Sequence, residues 1–215
     1  MIKAGAAVSR EPPGERAARQ AGEAAMRQGG LTRADLVIAF ATNHYSHEYP
    51  LLLAPLKSVT GAENIVGCSG VGVLASGVEV EGSISLAILA LEGVKPTPFI
   101  VTVDENSPQR AVQEVLDVVQ PNVAPESTLM LLTDTLHLNP IPFVQAVEGG
   151  LKSKIPIVGG AASSMSIPLK TYQWSGDQVT DHGIAGVLFG QGLRCHIGVA
   201  QGCEPIGQPY IITHA

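Results

Sequence analysis

Four short stretches carry side chains able to do chemistry: V-G-C-S-G-V at 66–71, H-Y-S-H-E at 44–48, T-D-T-L-H at 133–137 and G-G-A-A-S-S at 159–164. In the first, Cys68 and Ser69 stand between Gly67 and Gly70. A thiol on such a turn is a nucleophile if His44 or His137 reaches it as a base from a neighbouring strand end. The same turn could instead use its backbone N–H groups and the Ser69 hydroxyl to cradle a carboxylate or other anion. The plain alternative is a small buried cysteine where nothing larger fits.

His44 and His47 make an H-x-x-H pair beside Glu48. Two histidines three apart share a helical face and could ligate a metal or a haem iron. No third ligand follows at a suitable spacing, so a polar strand-end loop with a capping role competes with that reading. Asp134, between Thr133 and Thr135, could hold the amino group of an amino acid, or could serve as a turn and cap residue before the Pro-containing stretch that follows. Ser163 and Ser164 could donate to an anion or form an ordinary turn. Trp174 could line a pocket or cover a sheet edge. Cys195 and His196 fall on alternate faces of an expected strand, so at most one points inward.

The whole chain limits the classes open to these residues. Its 215 residues are 45% hydrophobic and only 15% charged, a globular composition with enough length for a substantial core. The formal charge of −6, with no clustered Lys/Arg, argues against nucleic acid or an anionic membrane as partner. No apolar run reaches the roughly 18 residues needed to span a bilayer. The N-terminal stretch lacks a signal-peptide core, so a cytoplasmic protein is expected. Cys68, Cys195 and Cys203, an odd set without C-x-x-C, fit a reducing compartment rather than a disulfide framework or a zinc site.

Strands and helices alternate to position the four stretches. A strand at 4–9 precedes a helix at 14–28 whose alanines form one small-residue face. DLVIAFAT (35–42) is a buried strand, 49–59 a helix despite Pro55, ENIVGCSG (63–70) a strand entering the Cys68 turn, and GSISLAILAL (82–91) a strand. The order then recurs: strand 98–104, helix 107–120, strand 127–134, helix 139–150, and strand and turn 154–164. An irregular or hairpin-like stretch at 165–181 leads to two closing strands at 182–190 and 193–201. An offset of 93 sets Leu36 on Leu129 and His44 on His137, and an offset of 92 sets V-G-C-S on V-G-G-A. We read an internal duplication, about 1–92 and 95–200. The expected fold class is α/β: two pseudo-repeated β-α-β-α-β-β units forming mixed sheets flanked by helices.

Ligands of open α/β sheets settle outside the carboxyl ends of strands. Pseudo-symmetric halves would bring those ends into one cleft, lined by His44, Gly67, Cys68, Ser69, Gly70, Asp134, Thr135, His137, Gly159, Gly160 and Ser163. Gly160 stands where the other copy has Cys68, so turn geometry is the shared requirement and the thiol is optional.

The segment VGCSGVGVLASGVEVEG resembles the G-C-S-x-x-G segment of FIST N-terminal domains. PIVGGAASS resembles their double-glycine turn, and HGIAGVLF followed by VAQGCEPIG resembles their closing strands and exit. The resemblance covers about 1–207, and would make 208–215 the start of a C-terminal FIST domain that is truncated or absent here. It implies a sensory module of signal transduction that binds a small polar ligand, for which amino acids have been proposed, and that acts on a signalling partner protein not identifiable from sequence. Haem-based gas sensing is a further reading from the same family. A Cys/Ser-dependent hydrolase or acyl transferase using Cys68 is the alternative from the residues themselves.

Overall fold

The computed structural model describes residues 1–190 and, beyond them, 193, 195–198, 202, 206–208, 210, 211 and 213. The first half contains strand β1 (Lys3–Ser9), helix α1 (Gly14–Gly29), β2 (Leu36–Thr42), α2 (Tyr49–Thr60), β3 (Asn64–Gly70), a hairpin β4 (Gly72–Ala75) and β5 (Val78–Glu81), and β6 (Leu86–Glu92). The second contains β7 (Pro96–Thr102), α3 (Pro108–Val119), β8 (Thr128–Thr133), α4 (Pro140–Gly150), β9 (Ile157–Ala161), a hairpin β10 (Gln173–Ser175) and β11 (Gln178–Thr180), and β12 (Gly183–Phe189).

The first sheet is ordered β1-β6-β2-β3-β10-β11 and the second β7-β12-β8-β9. In each, the two outer segments of the β-α-β path run parallel (β2 with β3, β8 with β9), and the last strand of the half inserts antiparallel beside them. The molecule is therefore mixed α/β, with four helices on its sheets.

Apolar periodicity explains the layering. Ala17, Ala18, Ala21 and Ala25 of α1, with Leu52 and Leu56 of α2, pack on the Val37, Ala39 and Ile65 face of the first sheet. Only small residues permit this closeness: a Cβ on Gly5 of β1 would strike the Ala25 carbonyl. Val115, Leu116, Phe143 and Val147 of α3 and α4 cover the Leu129, Leu131 and Ile184 face of the second sheet. The opposite faces meet between the sheets through Leu36, Ile38, Val66 and Cys68 against Met130, Leu132, Ala185 and Val187. Side chains alternate along a strand, so these faces test the sequence offsets. Leu36 lies between the sheets and Leu129 under the helices. An offset of 93 thus pairs opposite faces, and the match of His44 to His137 goes with it. At 92, Val37 meets Leu129 and Gly67 meets Gly159, each pair on one face.

The expected strand at 82–91 begins only at Leu86, and that at 98–104 begins earlier, at Pro96. The hairpin β4–β5 adds to the expected strands, and β10–β11 lies within the stretch expected to be irregular or hairpin-like. β4–β5 turns at Ser76 (φ 53) and Gly77 (φ 76), the two positive angles a tight hairpin of this twist requires. β10–β11 leaves its own half to pair with β3. Of the expected strand at 193–201, residues 193 and 195–198 carry no regular structure and the others lie outside the described residues, as do Cys203 and part of the 208–215 tail. Among the described residues, no helix is long and apolar enough to cross a membrane.

Candidate functional site

The carboxyl ends of β2, β3, β8 and β9 meet at one end of the molecule, where side chains stitch the two halves together. Ser69 is buried, and its hydroxyl donates to the Ser163 carbonyl (3.2 Å) while accepting from the Tyr172 N–H (3.0 Å). Ser163 returns the link: its hydroxyl accepts from the Val71 N–H at 3.1 Å and its N–H donates to the Ser69 carbonyl at 3.2 Å. Both serines are consumed in this joint.

Cys68 points into the layer between the sheets and is 4% exposed; burial pushes its thiol up to about 12. A thiol that neither ionises near neutrality nor meets solvent is no nucleophile. Gly67 is buried too, because β10 crosses it: a Cβ there would strike the Ala39 carbonyl and the Trp174 indole. Trp174 thus covers the sheet edge and packs on Tyr49, with ring centroids 5.0 Å apart.

Asp134 is fully buried at the end of β8. One carboxylate oxygen accepts from the Leu136 N–H and the Thr171 hydroxyl, both at 2.8 Å; the other accepts from His137 Nδ1 at 2.5 Å. Thr171 in turn accepts from Gln173 Nε2 at 3.2 Å. Every lone pair of Asp134 that faces a donor is engaged inside the protein, so Asp134 anchors His137 and does not itself meet a ligand. The bond to Asp134 places the proton on Nδ1 and turns Nε2 outward.

His137 Nε2 faces a cleft of about 410 Å³ between the starts of α3 and α4. Its polar groups are His137, Asn139, Gln109 and Glu105, and its walls are Pro108, Val112, Leu138, Pro142, Phe143 and Ala146. Glu105 Oε1 lies 3.7 Å from Nε2, too far for a direct hydrogen bond. The start of α4 offers little to an anion: Pro140 and Pro142 have no N–H, and the Ile141 N–H is taken by the Asn139 side chain at 3.2 Å. The cleft therefore presents the Glu105 carboxylate and His137 Nε2, beside the Gln109 and Asn139 side-chain amides, against apolar walls, a setting that suits a polar head on an apolar body.

Of the residues expected to share one cleft, five are divided among three clefts and the others line none of them. His137 lines the cleft just described. His44 and Gly70 line a second, of about 310 Å³, with Thr42, Asn43, Val71, Gly82, Met165 and Ser166. The buried Asn43 Oδ1 has no partner among the described residues. Gly159 and Gly160 line a third, along the outer edge of β9. Thr135 is exposed, with its hydroxyl 3.4 Å from the Ala162 carbonyl. No group of three or more metal-ligating side chains occurs among the described residues. Sequence reasoning missed Glu105 and Thr171. The acidic D-E-N-S run before the Pro108 helix start was the available signal for the first, and nothing local marked the second.

Two uncharacterised proteins of Mycobacterium tuberculosis, from strains CDC 1551 / Oshkosh and ATCC 25618 / H37Rv, are each 28% identical to the chain over 225 residues. The match covers all of this chain and 54% of each of those proteins, so the chain spans about half the length of the curated relatives it matches. Among solved structures, a cyanuric acid hydrolase from A. caulinodans is similar at a TM-score of 0.40 and 11% identity, over 88% of this chain and 71% of that one. That likeness is too remote to bear on fold or chemistry here. The FIST N domain family matches residues 35–215, a span that takes in the Cys68 turn, the Asp134 anchor and the double-glycine strand, and the chain belongs to that family.

Proposed function

We propose that the chain is a sensory domain that binds a small amine-headed metabolite with an apolar body, such as an apolar amino acid, between α3 and α4. The observation that carries this is the His137–Glu105 gap, backed by the buried Asp134 anchor. An ammonium about 2.9 Å from both acceptors would close it with charge-assisted hydrogen bonds. The apolar walls would take the remainder of the ligand. A ligand touching both helix starts favours one spacing of α3 and α4 over others, which is what a signalling output needs. Its partner would be a protein of the signalling chain, in the cytoplasm, in keeping with the acidic composition. The common strand order and the 92-residue offset support reading the halves as two copies of one unit, of which the second carries the site.

Native mass spectrometry of the purified protein tests the proposal. A bound species bearing a primary amine, absent from Glu105→Gln, is expected. A protein that retains its co-purifying species in Glu105→Gln and His137→Ala would send the search to the cleft around His44.

A further inference from the structure

The two sheets differ at their outer edges. In the first, β10 lies antiparallel on β3, with Trp174 opposite Gly67. In the second, β9 is the last strand among the described residues, and its Gly159, Gly160 and Ala161 are exposed. The strand that closes the first edge comes from the later half, from the chain between β9 and β12. The hairpin at the same place in the earlier half, β4–β5, instead packs over Val8, Phe40 and Ala87 and never reaches β9. The exchange thus runs one way, from later unit to earlier unit. Such a head-to-tail contact leaves an unfilled acceptor at its end.

That acceptor has a shape. A cleft of about 500 Å³ opens beside β9, walled by Leu131, Val144, Ile157, Gly159 and Ile197. At the 92-residue offset, Leu131, Ile157 and Gly159 correspond to Ala39, Ile65 and Gly67, the residues beneath and beside Trp174. A Cβ on Gly159 (φ 144) would strike the Leu131 carbonyl as one on Gly67 would strike that of Ala39. We propose that the edge of β9, which no described strand covers, accepts one antiparallel strand carrying a large aromatic side chain over Gly159, supplied by a further polypeptide unit of the same topology. The backbone of β9 would supply ladder hydrogen bonds and the cleft would take the aromatic ring, as in β-strand addition generally. The length of the curated relatives, of which the chain spans 54%, leaves room for such a unit.

The probe is a fluorophore-labelled peptide of residues 171–181, which carries Trp174 and the hairpin turn, titrated with the whole chain and followed by anisotropy. Saturable binding is expected, weakened about tenfold or more by Trp174→Ala in the peptide. Val144→Glu in the protein should weaken it as much. Val144 is half-buried, so Ile197→Glu, at a 56% exposed position, provides a second variant that leaves the core alone. Absence of saturable binding, or binding indifferent to all three changes, overturns the proposal. So does a dimer in sedimentation that Ile197→Glu splits, because a second copy would then be the occupant.

Discussion

The two halves share strand order and helix placement, yet the first is filled where the second is open. At the helix starts of the first half, Tyr45 is fully buried with its hydroxyl on the Glu11 carbonyl at 2.5 Å, and Glu48 accepts from the Gly14 N–H at the start of α1. The corresponding joint of the second half is the cleft between Glu105 and His137. At the sheet edge, Trp174 fills the first half, and no described residue takes its place in the second. One strand order thus serves as a packed scaffold in the first half and leaves a pair of recesses in the second, and the difference rests on a few large side chains.

The largest expected effect comes from forcing atoms into the filled half. Gly67→Val drives a branched side chain into the Ala39 carbonyl and Trp174, and should cost more than about 3 kcal/mol in urea unfolding. Gly160→Ala, whose Cβ meets nothing within 4 Å, should stay within about 0.5 kcal/mol in the same assay. Emptying the filled edge comes next. Trp174→Ala should lose about 3–5 kcal/mol and expose Gly67 to solvent.

Asp134→Ala tests the open half. It strands the Thr171 hydroxyl and the His137 ring without their acceptor, which should cost about 2–3 kcal/mol by urea unfolding and release His137 from its orientation. Cys68→Ala should cost only about 1–2 kcal/mol and leave ligand binding intact by calorimetry, since the thiol is a core group.

The smallest effect is electrostatic. Lys170 and then His182 hold the Asp181 carboxyl at about 2, below its ordinary 3.8. A depressed folded-state value means stability present above the unfolded pKa and lost as pH falls through the folded one. Acid titration of stability should therefore show a loss between about pH 4 and pH 2 that Lys170→Ala removes. The pair is largely solvated, so the loss should stay below about 1 kcal/mol.

Most of this architecture was legible in the sequence because it rests on local pattern. The alternation of apolar runs with amphipathic stretches placed the four helices and most of the sheet strands, whereas Gly67 and Gly159, read as turn glycines, lie inside β3 and β9, where a Cβ would strike the neighbouring strand. The β4–β5 hairpin is absent from the expected strands, and the hairpin-like stretch at 165–181 carries no hint of its pairing partner. Ser76-Gly77 between alternating valines is a local hairpin signal that went unused. The transfer of β10 onto β3 joins residues a hundred positions apart and has no local signature. The 93-residue offset failed because one position reverses every side chain on a strand, a distinction that letter matching does not register. Asp134 is expected from sequence to hold a ligand's amino group, whereas in the structure its carboxylate is bonded to Thr171 and His137, and only the pairing of the hairpin with β3 brings Thr171 to it.

Calorimetric titration of the chain with amino acids and small apolar amines tests the binding assignment most directly. At least one amine-headed compound should bind saturably, and Glu105→Gln should weaken it by roughly 10- to 100-fold, the worth of a charge-assisted contact. Glu105 is largely exposed, so the variant should unfold at the wild-type midpoint. Heat absent from the whole panel, or binding of equal strength in wild type and Glu105→Gln, would contradict the assignment of the α3–α4 cleft.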